Sequence, residues 1–398
     1  MGKVRRFRLL LCWLVWPMCV SANVQLSQHD YLLLKPAFTA IDKGELKTAY
    51  QQLISVEKQL RGDYAKALLL SNLGQLELQW ENYNKAITYL RQSLQLQALP
   101  ENQQISLRRT LAQLYCVQAQ WRACIREMKQ WMQLQPEKIS ERDYLMLAQA
   151  YSERSQWRKV IAPITAAINR RPVAPQNWFQ LKVMAYVQLK QWAKAIKTQR
   201  RLLGHYPAKA DNWRYLVSLQ LQGGQYKAAL ASQRIGYERG ILSGAADYRL
   251  LAQMLLQAGI PFHAGKVLEK GLKTGLLDAN EKTLRLLSHC WINAHEKKRA
   301  AAALVRLNTV SPSDKGLRQL ASTQIQLQDW RSAQRTLKKL IHRTKSERPE
   351  VQLLLGIVNI QLKRFEEARQ ALSIAAKNKN QQPDAERWIH YLEQVQSS

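Results

Sequence analysis

The sequence lacks the local signatures from which enzyme active sites are usually built. Its seven histidines are scattered, and His295-Glu296 is not followed by the second histidine of a zinc-binding HExxH helix. Gly223-Gly224 precedes Gln225 and Tyr226, so this pair is not part of a phosphate-binding loop. No serine stands in a nucleophile elbow. We therefore predict a non-catalytic protein that uses no metal and no cofactor.

The chain also has no stretch rich in Gly, Ser or Pro and no change of composition that would separate two domains. Beyond its first residues it has no apolar run near the roughly 20 residues that a membrane-spanning helix needs. These absences predict one continuous domain over residues 23–382, in a soluble or peripheral protein.

The first 22 residues have the features of a secretory signal peptide. Basic residues from Lys3 to Arg8 precede the apolar run Leu9–Val15, and Val20-Ser21-Ala22 fits a cleavage site between small residues. An uncleaved membrane anchor is the alternative, although the apolar run is shorter than a span requires. We predict cleavage before Asn23 and a periplasmic location.

Acidic residues are scarce: 29 Asp and Glu stand against 60 Lys and Arg, a formal net charge of +31. Such an excess attracts anionic partners over a screening length of about 8 Å at physiological salt. The predicted export argues against nucleic acid as the partner. Acidic protein segments and anionic envelope components remain.

What the chain does have is a repeat. A small residue recurs every 33 to 38 residues, at Ala49, Ala86, Cys124, Val160, Ala195, Ala229, Ala264, Ala300, Ala333 and Ala368. In most copies a large ring stands three residues earlier and a bulky apolar residue four residues later, with Gln199 and Gln233 as exceptions at the later position. The offset of four keeps two residues on one helix face, so the pattern predicts the second helix of about ten helical hairpins.

In seven of the helices that precede these, a second small residue follows an apolar one, as in Leu73-Gly74, Leu251-Ala252 and Leu355-Gly356. Small residues let two antiparallel helices approach closely, because a larger side chain would overpack the contact. Prolines that end the second helix follow in several copies, at Pro136, Pro172, Pro207 and Pro312.

Together these residues resemble the tetratricopeptide repeat family over nearly the whole mature chain. The resemblance implies an all-α, right-handed α-solenoid of about ten hairpins, closed by a C-terminal capping helix within residues 383–398. The turn aromatic is absent at Pro261 and Lys297, and the first copy has Pro36 inside its first helix. Terminal copies are expected to deviate because only one side needs a neighbour.

Three cysteines remain after the predicted signal. Cys116 would end one helix and Cys124 would open the next, so the two could form a disulfide across the turn in an oxidising compartment. Two buried small side chains are the alternative.

In the family, the first helices line a concave groove. Three residues before the small residue of the first helix stand five arginines: Arg109, Arg214, Arg249, Arg285 and Arg318. Arg109 with Gln113, and Arg249 with Gln253, resemble the basic-plus-amide pairs of the family's carboxylate clamps, although those clamps use Lys and Asn. A basic stripe that binds an acidic peptide is one prediction, since planar guanidinium groups suit carboxylates. A solvated groove surface is the other.

A finer resemblance concerns four parts of the chain: Asn212–Leu216, Gly223–Tyr226, the Leu250–Leu268 unit with Val267–Gly271, and Ala385–Leu392. They look like segments of repeat proteins encoded with TonB systems of marine gammaproteobacteria, which implies an accessory role in TonB-dependent energy transduction. The expected partner is then a TonB-like protein or an outer-membrane transporter. The alternative function is an envelope factor that binds peptidoglycan, lipopolysaccharide or exported polysaccharide through its basic surface.

Overall fold

The computed structural model describes residues 25–344 and 348–397, and within them the chain is all-helical. The described residues form 21 α-helices and two short 3₁₀ turns, with no strand. The helices are α1 Gln28–Asp42, α2 Leu46–Val56, α3 Asp63–Gln79, α4 Tyr83–Gln95, α5 Glu101–Val117, α6 Trp121–Leu134, α7 Glu141–Glu153, α8 Trp157–Asn169, α9 Gln176–Gln188, α10 Trp192–His205, α11 Ala210–Gln222, α12 Tyr226–Glu238, α13 Ala245–Gln257, α14 Pro261–Lys273, α15 Glu281–Asn293, α16 Lys297–Val310, α17 Asp314–Gln326, α18 Trp330–Thr344, α19 Pro349–Gln361, α20 Phe365–Ala376 and α21 Gln382–Ser397. The predicted signal peptide lies outside the described residues.

Consecutive helices pack in pairs, as the repeat predicts. Contacts join α1 to α2, α3 to α4 and so on through α7 and α8, and again from α11 and α12 through α19 and α20. In most pairs the second helix also contacts the first helix of the next pair. The chain divides into two compact units, one ending at Thr198 and the other beginning at Gln199, within α10. The predicted α-solenoid of about ten hairpins is confirmed.

All ten turns between the two helices of a pair share one backbone feature. The residue two positions before the second helix has a positive φ, at Gly44, Glu81, Ala119, Ser155, Lys190, Gly224, Gly259, His295, Gln328 and Lys363. This left-handed residue ends the first helix and lets the chain reverse within a short turn. Seven of the ten are not glycine, so composition alone does not reveal these turns.

Small residues allow close contact between paired helices. A Cβ added at Gly74 would lie 2.5 Å from Leu90 Cδ2, and one at Gly356 would lie 2.6 Å from Leu372 Cδ2. Leu90 and Leu372 are themselves fully buried. The apolar residue four positions after the small residue of the second helix therefore fills the space opposite glycine, which confirms the predicted reason for the small residue.

Gln199 and Gln233 interrupt the apolar pattern and are nevertheless buried. Each side-chain amide donates to a backbone carbonyl in the first turn of the next first helix: Gln199 to Asn212 at 2.8 Å and Gln233 to Asp247 at 3.0 Å. These bonds satisfy the side-chain N–H group of each glutamine, which reduces the cost of burying it, whereas the two side-chain oxygens have no hydrogen-bond partner among the described residues. They also tie consecutive hairpins together.

The absent turn aromatic at Pro261 and Lys297 is replaced by a local cluster. Pro261 is the first residue of α14, and the ring of the next residue, Phe262, lies edge-on to Trp291 with centroids 5.7 Å apart. The Arg299 guanidinium lies over both rings, 5.5 Å from Phe262 and 4.8 Å from Trp291. A ring shifted by one residue thus takes part in the packing near the turn.

Replacing Gly265 by alanine is expected to destabilise this cluster. Its Cβ would lie 2.7 Å from three carbon atoms of the fully buried Trp291 ring. Overpacking costs about 1 to 3 kcal/mol, against a gain of about 1 kcal/mol from removing a helical glycine. Thermal denaturation should show a lower Tm. The matched control is Gly204→Ala in α10, where an added Cβ meets nothing within 4 Å and Tm should rise; a rise for both variants would contradict the packing.

The chain ends on a helix that covers the last pair. Ala385 and Leu392 of α21 are fully buried in one cluster with Leu353, Leu372 and Ala375. The predicted capping helix is therefore present, and it begins at Gln382. Among the described residues no helix is both long and apolar enough to span a membrane.

Candidate functional site

The most regular polar surface lies on four consecutive first helices of the C-terminal unit, α11, α13, α15 and α17. Each carries an arginine, then a serine, glutamine or histidine four positions on, then an amide eight positions on, all on one helix face. The arginines are Arg214, Arg249, Arg285 and Arg318; the middle row is Ser218, Gln253, His289 and Ser322; the last row is Gln222, Gln257, Asn293 and Gln326. We call this the arginine–amide face. All four amides of the last row are exposed.

Arg214 is held by two carboxylates. Its Nε and Nη2 donate to the two oxygens of Asp247 at 2.9 and 2.8 Å, and its Nη1 donates to Asp211 at 2.9 Å. Burial raises the pKa of Asp247, but the hydrogen bonds from Arg214 and from the Gly244 N–H outweigh it, so the pKa lies below the usual range. Arg214 therefore binds the first turn of the next first helix. Its guanidinium is already paired with carboxylates of the same chain.

Arg109 stands at the equivalent register position in the N-terminal unit and is also paired with a carboxylate. Its Nη2 donates to the buried carboxylate of Asp143 at 2.9 Å, and its guanidinium lies 4.6 Å from the centre of the Trp131 ring. Asp143 and Asp247 are equivalent, because each stands five residues before the small residue of its helix, Ala148 or Ala252. The same arginine-to-aspartate link thus joins successive first helices in both units.

Two other predicted arginines also have carboxylate partners. Arg318 lies 2.9 Å from Glu350, which is in the next first helix, and Arg285 lies 2.5 Å from Glu281 in its own helix. Both pairs are partly exposed, so each stabilises the fold by less than about 1 kcal/mol. A ligand carboxylate could compete for these arginines at small cost.

Arg249 differs from the other four. The position equivalent to Asp247 in the next first helix is Thr283, whose buried hydroxyl has no hydrogen-bond partner among the described residues. Arg249 itself is half-buried and makes no ion pair or hydrogen bond within the part of the chain that the structure describes. The arginine is therefore present at this register position, but threonine stands where the paired aspartate is found after Arg109 and Arg214. Arg249 is the guanidinium of this face best placed to receive an external carboxylate.

The two predicted glutamines are placed differently. Gln253 is exposed one turn after Arg249, and Gln257 is exposed one turn further. Gln113 is half-buried one turn after Arg109, whose guanidinium is already occupied by Asp143. Arg249 and Gln253 therefore offer a charged donor and an amide to a ligand, whereas Arg109 and Gln113 offer chiefly the amide.

Cys116 and Cys124 form a disulfide that joins α5 to α6 across their turn, with Cα atoms 5.0 Å apart. Cys290 is a free, fully buried thiol, and burial raises its pKa to about 12. A thiol at that pKa is not nucleophilic near neutral pH. No group of three His, Cys, Asp or Glu that could hold a metal ion occurs in the described ranges.

Comparison with known proteins gives a family match for one region and loose structural similarity to solved structures over larger parts of the chain. Residues 318–383 match the model of the tetratricopeptide repeat. No curated protein sequence matches the chain.

Similar solved structures include a tetratricopeptide repeat protein from Parabacteroides merdae, with 14% identity, a TM-score of 0.35, and coverage of 66% of this chain and 99% of that one. The C-terminal part of a repeat protein from Cytophaga hutchinsonii has 12% identity and a TM-score of 0.35 and covers 72% of this chain and 99% of its own. YrrB, described as a repeat protein with an unusual peptide-binding site, has 16% identity and a TM-score of 0.36, with coverage of 49% and 97%. Residues 318–383 are therefore similar to tetratricopeptide repeats.

Proposed function

We propose that this protein is a non-catalytic periplasmic scaffold that binds an acidic protein segment on the arginine–amide face. The observation that carries the proposal is Arg249, which lacks the aspartate partner of the equivalent Arg109 and Arg214. A carboxylate from a partner would make the bidentate contact that Asp247 makes to Arg214. The exposed amides of Gln253 and Gln257 would then bind the backbone of the same segment, because an amide side chain both donates and accepts.

The proposed setting is an accessory role in a TonB-dependent transport system. The support is the resemblance of Asn212–Leu216, Gly223–Tyr226, Val267–Gly271 and Ala385–Leu392 to repeat proteins encoded with TonB systems, together with the signal-like residues 1–22. An acidic segment of a TonB-like protein or of an outer-membrane transporter is the partner that fits both the charge and the compartment. Fractionation of cells into periplasm, membranes and cytoplasm tests the location.

A photo-crosslinking residue at Gln253 in the full-length protein tests the partner directly. Position 253 is exposed one turn from Arg249, so the guanidinium is retained. We expect mass spectrometry of the adducts to identify an envelope protein with an acidic segment, and we expect Arg249→Ala to abolish those adducts. The control is the same residue at Ala302, which is exposed on the second helix α16. Identical adducts at 253 and 302 would overturn the assignment of the face.

Arg249→Ala is expected to weaken binding without changing stability. Its side chain makes no ion pair or hydrogen bond within the described chain, so the unfolding free energy should change by no more than about 0.5 kcal/mol. Loss of a charge-assisted hydrogen bond of about 1.5 to 3 kcal/mol should raise the Kd for an oligo-aspartate peptide about 10- to 100-fold. Fluorescence anisotropy measures the Kd. Lys298→Ala removes the same charge from α16 and should leave it nearly unchanged; an equal loss in both variants would show attraction by net charge alone.

A further inference from the structure

We propose that a second surface of this protein, formed by the exposed faces of α14, α16 and α18, docks on a membrane that carries anionic phospholipid. We call it the basic outer face. It lies on second helices, whereas the arginine–amide face lies on first helices. The proposal is independent of the partner proposed above.

The positive charge of the C-terminal unit is concentrated on the second helices. The four helices α12, α14, α16 and α18 contain fourteen Lys and Arg against the two acids Glu238 and Glu269, a formal net of twelve. The four first helices α11, α13, α15 and α17 contain six Lys and Arg against four acids, a net of two. Three of these acids pair with arginines of first helices, as described above, and the fourth, Asp314, pairs with Arg343 of α18. Most of the excess positive charge is therefore on the four second helices.

Helix α18 has the largest excess of basic residues among the four second helices. Every exposed position from 331 to 343 is basic: Arg331, Arg335, Lys338, Lys339, His342 and Arg343. Two of these are neutralised, because Lys338 lies 2.8 Å from Glu367 and Arg343 lies 3.3 Å from Asp314. Arg331 and Lys339 have no carboxylate partner within the described ranges. A helix that needed charge only for solubility would be expected to carry both signs.

Helices α16 and α14 continue this surface. Arg306 and Lys270 stand six residues after Ala300 and Ala264, as Lys339 stands six residues after Ala333, so the three are equivalent in consecutive second helices. All three are exposed. A positive charge therefore recurs at the same register position in three consecutive second helices.

The exposed face of α16 favours lipid over a soluble polyanion as the occupant. Val305 is 47% exposed and Val310 is 54% exposed, on either side of Arg306. Helix α16 contains no acidic residue. Basic side chains bind lipid phosphates while adjacent apolar side chains enter the boundary between headgroups and acyl chains. A soluble polyanion would bind only the basic side chains and would gain nothing from the exposed valines.

Co-sedimentation of the full-length protein with vesicles tests the proposal. We expect binding to phosphatidylcholine vesicles that contain phosphatidylglycerol, and little binding to phosphatidylcholine alone. Each lysine or arginine near an anionic surface contributes about fivefold in affinity, so the triple variant Arg306→Gln, Arg331→Gln, Lys339→Gln should bind on the order of 100-fold more weakly. Circular dichroism should confirm that this variant is folded, since the three residues are exposed.

A matched triple variant controls for net charge. Lys35→Gln, Lys282→Gln and Lys315→Gln remove the same charge from exposed positions on first helices. We expect this variant to bind the vesicles within about threefold of the wild type. Equal losses in the two triple variants would overturn the proposal, because binding would then follow total charge.

The valines distinguish lipid from polymer. Val305→Ser with Val310→Ser should weaken vesicle binding several-fold and leave binding to alginate, a soluble anionic polysaccharide, unchanged. If the triple variant of the basic outer face loses alginate binding while vesicle binding is unchanged, the surface is a polymer site and the membrane proposal is wrong. Crosslinking at Gln253 reports on the arginine–amide face separately, so failure of one proposal does not imply failure of the other.

Discussion

Arg214→Ala is expected to lower the unfolding free energy of the C-terminal unit by about 2 to 3 kcal/mol. Removing one partner of a buried ion pair commonly costs about 3 to 5 kcal/mol, because it leaves an uncompensated buried charge. Asp247 is that charge, since only 4% of its side chain is exposed. The Arg214 side chain is 46% exposed, so water already screens part of the interaction and the lower value applies. Hydrogen exchange of the full-length protein should show the loss in α11 and α13.

The pH dependence gives a sharper measurement of the same pair. The pKa of folded Asp247 lies below that of a free aspartate, which is about 4. The pair therefore stabilises fully above pH of about 4, and its contribution is lost as the pH falls through the folded pKa. In urea denaturation the deficit of Arg214→Ala should be largest at neutral pH and should shrink in acid. A deficit that stays constant with pH would show that lost packing, not the ion pair, is the cause.

A double variant separates the effect of the unpaired Asp247 charge from the effect of the lost Arg214 contacts. Asp247→Asn keeps an oxygen that can accept from the Gly244 N–H, which donates to Asp247 at 3.0 Å. Combined with Arg214→Ala, it removes the stranded charge and should recover part of the lost stability. Arg249→Ala is the matched variant at the equivalent position without an aspartate, and its stability should remain near that of the wild type.

The fold was predictable because one physical requirement recurs ten times. Gly74 and Gly356 show the reason, since an added Cβ would overlap the leucine opposite each of them. The turns were harder to recognise, because residues such as Glu81 and His295 adopt a positive φ without being glycine. The buried glutamines were also hard to interpret, because their acceptors are backbone carbonyls thirteen or fourteen residues away. A hydropathy pattern contains no information about such partners.

The arginines were predictable as a row, but their partners were not. The sequence places five arginines at one position, and the structure pairs four of them with acids. In Arg109, Arg214 and Arg318 the acid belongs to the next first helix, 32 to 34 residues away. One signal was available, since Asp143 and Asp247 fill the same register position and Thr283 replaces them after Arg249. That register position separates Arg109 and Arg214 from the other three, because it holds Gly316 after Arg285 and Val351 after Arg318. Only the structure shows that Arg285 and Arg318 pair with acids at other positions, whereas Arg249 does not.

Reduction of the Cys116–Cys124 disulfide is expected to lower the unfolding free energy of the N-terminal unit by about 2 to 3 kcal/mol. The bond closes a loop with a sequence separation of 8, and the chain-entropy relation gives a cost of this size for so short a loop. Cys124 is fully buried and Cys116 is 7% exposed, so reductant should act slowly on the folded protein. Urea denaturation with and without dithiothreitol measures the difference.

The variant Cys116→Ala with Cys124→Ala distinguishes the bond from the packing of the two side chains. Alanine occupies the position of Cys124 in eight of the other nine hairpins, including Ala86 and Ala264, so it should be accepted there. The variant should match the reduced wild type in stability and should not respond to dithiothreitol. Peptide mapping without reductant on protein purified from cells should recover the two cysteines in one linked fragment. Only free thiols in that material would mean that the bond does not form in the cell, and the expected difference in stability would then be absent.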